Sequence, residues 1–146
     1  MKTHAIRIHE TGGPGVMRWE EIEIGEPGPG QVLVRNTAVG LNFIDVYYRS
    51  GLYPLPLPAA IGQEGAGIVE AIGPKVKELK IGDRVVAYAM GAYAERHIVA
   101  ADRLVKIPAG ISDQQAAAMM LKGMTAQYLI RRTHRVKAGE TILVHA

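Results

Sequence analysis

Hydrophobic and polar positions alternate in short runs over residues 1–107, and clusters of Gly and Pro cut the runs apart. A period of two marks a half-buried strand. Residues 3–8 alternate until Thr11-Gly-Gly-Pro-Gly15 breaks the pattern. Residues 17–24 form a second run, with Trp19 and Glu21 on one face and Arg18, Glu20 and Ile22 on the other. Glu26-Pro-Gly-Pro-Gly30 is a turn by composition. Residues 32–39 are apolar and β-branched, as a central strand requires. Residues 65–72, 84–88, 92–99 and 104–107 complete the expected strands. Strands at this spacing with such turns predict a mainly β fold, a closed or partly closed barrel. Gly62, Gly65, Gly67, Gly73 and Gly82 suit its tight corners.

Helical signals are few. Asn42 is a natural N-cap for a short helix that Gly51 ends. Ser112-Asp-Gln-Gln115 is a capping box followed by strong helix formers over 116–121. A second helix is expected from Thr125, as its cap, to Arg135. Arg131, Arg132, His134, Arg135 and Lys137 form a basic cluster that suits a solvated helix C-terminus. Ala138-Gly-Glu140 then turns the chain into an expected strand over 141–146. Its centre, Ile142-Leu-Val144, is apolar on both faces, which belongs in a parallel sheet covered by helices, and the sequence supplies no partner strand for it. No internal repeat or low-complexity segment interrupts the chain.

Composition narrows the class. The 146 residues suffice for one domain of ordinary size, and 48% hydrophobic with 21% charged residues makes it globular. No run approaches a membrane span, and the first residues alternate like a strand with no secretory apolar core. A soluble cytoplasmic protein is the expectation. With no Cys there are no disulfides or thiolate metal sites. A formal charge of +3 is slight for a nucleic-acid binder. The five His do not cluster, and no G-x-S-x-G elbow supports serine hydrolase chemistry. Gly12-Gly-Pro-Gly15 lacks the Lys-Ser/Thr ending of a phosphate loop and reads as a turn.

Candidate chemistry gathers in two stretches. In Asn42-Phe-Ile-Asp45-Val-Tyr47, Asn42 either only caps the helix or also presents its amide from a rigid helix start. Tyr47 and Tyr53 either pack at the surface or offer O–H donors to an oxygen that gains negative charge. Gln63, in Gly62-Gln-Glu-Gly65, carries an amide that can hydrogen-bond a substrate but is a poor ligand for Zn²⁺. Glu64, even with Asp45 counted, completes no three-ligand set, so no metal is expected. Lys122, Thr125 and Tyr128 mark the joint between the two expected late helices.

Residues 40–53, Ile61-Gly-Gln-Glu-Gly-Ala-Gly67, Gly82-Asp-Arg-Val-Val86 and the Lys122-Gly-Met-Thr125 joint together resemble the medium-chain dehydrogenase/reductase superfamily. In its alcohol dehydrogenases a Cys stands at the position of Asn42 and a His at that of Gln63, and both bind catalytic zinc. With neither present, the resemblance is to the zinc-independent NADPH:quinone oxidoreductases of the zeta-crystallin type.

That resemblance implies a GroES-like, partly open barrel as catalytic domain over 1–124, incomplete without a segment that returns from later in the chain. It implies the start of a Rossmann nucleotide-binding domain over 125–146, whose glycine-rich phosphate loop would follow. It implies hydride transfer from NADPH to a quinone without metal or flavin. Asn42 and Tyr47 would face nicotinamide and substrate, with Tyr53 and Gln63 as further substrate donors. Phe43, Ile44 and Asp45 would help hold the cofactor, and Lys122, Thr125 and Tyr128 would approach it, Lys122 as a partner for phosphate. This chain by itself would bind NADPH weakly or not at all, turn nothing over, and self-associate as a homodimer through exposed apolar surface. Two other readings are a zinc-free enone or alkenal reductase on the same barrel, and a non-enzymatic GroES-like binding module.

Overall fold

Residues 1–145 are described in the computed structural model. Strand β1 (Lys2–Ile8) buries Thr3, Ala5 and Ile8. It is the middle of a three-stranded sheet, between β2 (Met17–Glu23) and the two-residue β4 (Ala59–Ala60). A five-stranded sheet has the order β7-β3-β5-β6-β8. Its members are β3 (Gln31–Gly40), β5 (Glu64–Ile72), β6 (Arg84–Tyr88), β7 (Arg96–Ala100) and β8 (Leu104–Lys106). Every pairing is antiparallel.

The two sheets meet along β1. An Ala5–Ala94 bridge is flanked by hydrogen bonds from the Ile6 N–H to the Tyr93 carbonyl (2.7 Å) and from the Glu95 N–H to the His4 carbonyl (2.9 Å). Beside this seam the sheets part around an apolar groove of about 530 Å³, lined in part by Ile6, Met17, Trp19, Val39, Leu41 and Tyr93. The barrel is therefore partly open. The expected strand over 92–99 forms only from Arg96. The carbonyls of Ala92 and Ala94 are taken instead by the Asn36 amide, at 2.9 and 2.8 Å, so that stretch makes only the single bridge to β1 and no longer ladder. β4 carries no legible signal because two residues cannot show a period.

Helix α1 (Phe43–Ser50) starts at the Asn42 cap and ends at Gly51 in the left-handed conformation, both as the sequence predicts. Helix α2 (Asp113–Tyr128) has the predicted capping box. The Gln115 N–H donates to Ser112 Oγ at 3.1 Å, and the Ser112 N–H to Gln115 Oε1 at 2.9 Å. The two expected late helices are in fact one. α2 runs through Gly123 and Thr125 and continues as a π-helical turn over Leu129–Thr133. A single Gly costs a helix about 1 kcal/mol, and the Met, Leu, Lys and Ala around it outweigh that. The expected boundary between residues 124 and 125 falls inside this helix. Of the Rossmann strand expected over 141–146, Ala146 lies outside the described residues, and the rest forms no strand. Residues 141–145 have no regular structure, and Leu143 and Val144 stand exposed, because a strand needs a partner and none of the described residues pairs with them.

α2 lies across β3, β5 and β6. Ala116 and Ala117 pack with Ala66, Val86 and Ile107 in one core cluster, and Val32, Val34, Val69 and Val85 form a second, Val85 and Val86 pointing to opposite faces of β6. Asp113 fixes the start of the helix, accepting from Thr37 Oγ1 at 2.6 Å and from Arg84 Nε at 3.0 Å. No helix among the described residues is long and apolar enough to cross a membrane.

His97 is buried on β7 opposite Val34, with Nδ1 at 3.2 Å from the Asn36 amide nitrogen and Nε2 without a partner among the described residues. Burial pushes its pKa down from 6.5 to about 4. The unfolded chain therefore takes up a proton that the folded chain refuses as pH falls through this window, and stability falls with it. At about pH 5 the chain should be roughly 2 kcal/mol less stable than at about pH 7 from this group alone. Urea unfolding at both values checks this, and His97→Gln should remove that part of the difference.

Candidate active site

Three elements bring the polar residues together at one end of the five-stranded sheet. β3 ends at Gly40, which pairs with Glu64 at the start of β5. Asn42 follows β3 and caps α1, and Lys122 comes down from α2. A Cβ at Gly40 would run into Glu64 Oε1 and the Ala117 carbonyl, so glycine there lets carboxylate and helix meet.

Glu64 is wholly buried. Its Oε2 accepts the backbone N–H of Leu121 at 2.6 Å, and Oε1 lies 3.4 Å from Lys122 Nζ. The same ammonium donates to Asn42 Oδ1 at 2.7 Å and to the Leu41 carbonyl at 3.4 Å. Three donors thus meet three acceptors. The Asn42 Nδ2 group, also buried, has no partner among the described residues.

Asp45 is buried one turn into α1. Its Oδ2 accepts from the Asn42 N–H at 3.0 Å, closing the helix start, and from the Tyr93 hydroxyl at 2.7 Å. Burial raises its pKa above the usual carboxylate value, and the bonds from Tyr93 and Asn42 pull the other way. Burial, then the bond to Asp45, raises the pKa of Tyr93 and keeps it a donor. Gly62 has φ +95°, and a Cβ there would strike the Tyr93 ring, so this glycine lets the ring reach Asp45.

A second group is aromatic. Tyr47 and Tyr48 both meet Tyr53 edge-on, with ring centroids 5.4 and 5.7 Å apart. Tyr48 also belongs to this group. Tyr53 is 43% exposed, and its N–H donates to the Tyr47 carbonyl at 3.1 Å. Tyr88 lies between the two groups: burial raises its pKa, with smaller contributions from Tyr48, Asp45 and Glu64.

The amide at position 63 is buried next to Glu64, and its Nε2 points at Met90 Sδ, 3.7 Å away. Ile44 is half-buried. Phe43 and Tyr128 project outward, 80% and 59% exposed. Thr125 does not cap a helix. It sits inside α2, and its hydroxyl donates to the Leu121 carbonyl at 2.8 Å. Of the residues the sequence singles out, Asn42, Asp45 and Lys122 come into one cluster, and Tyr47 and Tyr53 into another.

A family model described as the alcohol dehydrogenase GroES-like domain matches residues 28–109, which hold β3 to β8 and both halves of the polar cluster except Lys122. The chain belongs to this family. Within the alcohol dehydrogenase GroES-like family it is similar to a quinone oxidoreductase of Pseudomonas aeruginosa, 58% identical over 145 residues, covering 97% of this chain and 44% of that protein. It is similar to a 2-haloacrylate reductase of Burkholderia sp., 46% identical over 151 residues, covering 97% of this chain and 45% of that protein. The solved structure of Escherichia coli quinone oxidoreductase complexed with NADPH superposes with a TM-score of 0.89 at 47% identity, over 92% of this chain and 42% of that one. The chain thus spans less than half the length of the relatives it matches.

Sequence reasoning left out two members of the cluster. Glu64 is visible only as a residue that cannot make a metal site, and its place opposite Gly40 is a matter of strand register. Tyr93 lies 48 residues from Asp45 in a stretch read as a strand, and no local signal joins the two. Tyr93→Phe should cost roughly 1–3 kcal/mol, the price of a buried carboxyl oxygen losing a donor. The loss should shrink as pH falls from neutral into the acid range, because the Tyr93 bond favours the ionised form of Asp45. Urea unfolding of the two proteins at neutral and acid pH measures it.

Proposed function

We propose that this chain forms the catalytic barrel of an NADPH-dependent quinone reductase that works without metal or flavin. The observation that carries the reading is the donor set at the sheet end. An amide at 42 and an amide at 63 stand in a frame where the resembling zinc enzymes carry Cys and His. Lys122 bonds Asn42, and the phenols of Tyr47 and Tyr53 form a second, aromatic group on and after α1.

The residues suit a nicotinamide and a quinone. The unpartnered Nδ2 of Asn42 offers a donor to a carbonyl oxygen. Leu41 and Phe43, 77% and 80% exposed on either side of it, offer apolar surface to a ring. Bound NADPH supplies the hydride, and this chain supplies positioning and hydrogen-bond donors. As hydride reaches the quinone, negative charge grows on its oxygen, and an O–H from Tyr47 or Tyr53 stabilises it there. Phe43, Ile44, Asp45, Thr125 and Tyr128 complete the cofactor side of the same proposal, with residues 1–124 as its catalytic domain and a cytoplasmic homodimer as the working form.

One observation favours a second reading. The similarity to a 2-haloacrylate reductase shows that this barrel also occurs where the acceptor is an activated alkene. Hydride would then go to carbon, and the same tyrosines would serve the conjugated carbonyl. NADPH consumption by the enzyme that carries this chain, measured with a panel of quinones and of enones, separates the two. Quinones should turn over faster, and Tyr47→Phe should lower their kcat by about 10²-fold, the scale of one lost oxyanion donor. Faster turnover of the enones would replace the quinone reading with the alkene one.

A further inference from the structure

We propose that Lys122 is a positioning residue that orients the Asn42 carboxamide, and not a ligand for a cofactor phosphate. The inference rests on the proposed reductase reading for the use of that amide, but its geometry stands without it.

An amide has two ends of similar shape and opposite hydrogen-bonding character, and its orientation is set by its neighbours. An ammonium has three donors and no acceptor. With Lys122 Nζ 2.7 Å away, only the oxygen of Asn42 can face it. Lys122 is itself held from the far side. Glu64 is pinned by the Leu121 N–H and keeps its other oxygen toward the ammonium, and the Leu41 carbonyl takes the third donor. A lysine so placed has all three hydrogens directed at acceptors of this chain, the shortest bond going to Asn42.

The result is an imbalance that a free amide would not keep. The oxygen of Asn42 is satisfied, while the buried Nδ2 has no acceptor among the described residues. Leaving a buried donor unpaired is costly, so a side chain free to turn would relieve it. Lys122 prevents the turn. It holds an N–H donor in reserve at the head of α1, ready for the carbonyl oxygen of a ligand. Asp45 fixes the backbone of the same residue through its N–H, so both the main chain and the side chain of Asn42 are set.

The test compares the wild type with Lys122→Met, Lys122→Arg and Glu64→Gln by NMR of the Asn42 side-chain NH₂ group in this chain, with thermal melts to check folding. The expected result is an Asn42 NH₂ group whose nitrogen relaxation shows a rigid side chain in the wild type. The side chain gains fast motion in Lys122→Met, with shifted NH₂ signals, and is largely rigid again in Lys122→Arg. Lys122 is well exposed, so its variants fold even if the buried Glu64→Gln does not. Unchanged Asn42 signals in Lys122→Met would overturn the proposal. A second arm uses the enzyme that carries this chain. Lys122→Met should lower kcat roughly 10- to 100-fold, the worth of one bond to a charged group. Asn42→Ala should do the same, and the double variant should be no worse than either. A raised and salt-dependent Kd for NADPH with kcat intact would instead make Lys122 a phosphate ligand. If no quinone is reduced at all, the reductase reading fails, and the NMR arm still decides the role of Lys122.

Discussion

A carboxylate with no solvent contact must find its donors inside the protein, and Glu64, on β5, finds both of them on helix α2. Its demand ties the end of the barrel to helix α2. One oxygen takes a backbone N–H from the helix and the other faces a lysine from the next residue along it. Gly40 clears the space, the β3–β5 register brings Glu64 opposite it, and Asn42 follows two residues later. The position of α1 relative to α2, and so the shape of the candidate site, follows from that one buried group.

The cluster is polar at its centre and apolar around it. Leu41 and Phe43 stand out into solvent next to a wholly buried ion-pairing group. Such surroundings lower the effective dielectric for any ligand that covers them, which strengthens every hydrogen bond within. The tyrosine group beside it is built on contacts between rings, so its hydroxyls are placed by packing and not by a hydrogen-bond network.

Much of the architecture was legible in the pattern of the chain. Alternation found the strands that bury one face, and the Ser112–Gln115 box and the Asn42 cap found the helix starts, because caps are local chemistry. Three features were not legible. Gly123 and Thr125 look like a helix break and a new start, but a helix packed on a sheet passes through one glycine. Residues 142–144 have the composition of a buried strand, yet pairing is a property of partners and not of composition. Ala92 and Ala94 read as strand, and a side-chain amide captured their carbonyls. At the site, Asn42, Asp45 and Lys122 were found by resemblance and meet in space. Glu64 and Tyr93 join them through register and long-range packing, which one-dimensional reading does not carry.

The unbroken run of α2 has a mechanical consequence. Lys122 and Tyr128 stand on the same rod, about 9 Å apart along its axis. Ala116 and Ala117 bed the near end into the sheet, while the far end projects into solvent. Whatever pulls on the projecting end acts through a lever whose fulcrum is the alanine pair. Lys122 lies on the same arm, about midway between the alanine pair and Tyr128, so a tilt that moves Tyr128 carries the lysine, and with it the Asn42 amide, about half as far.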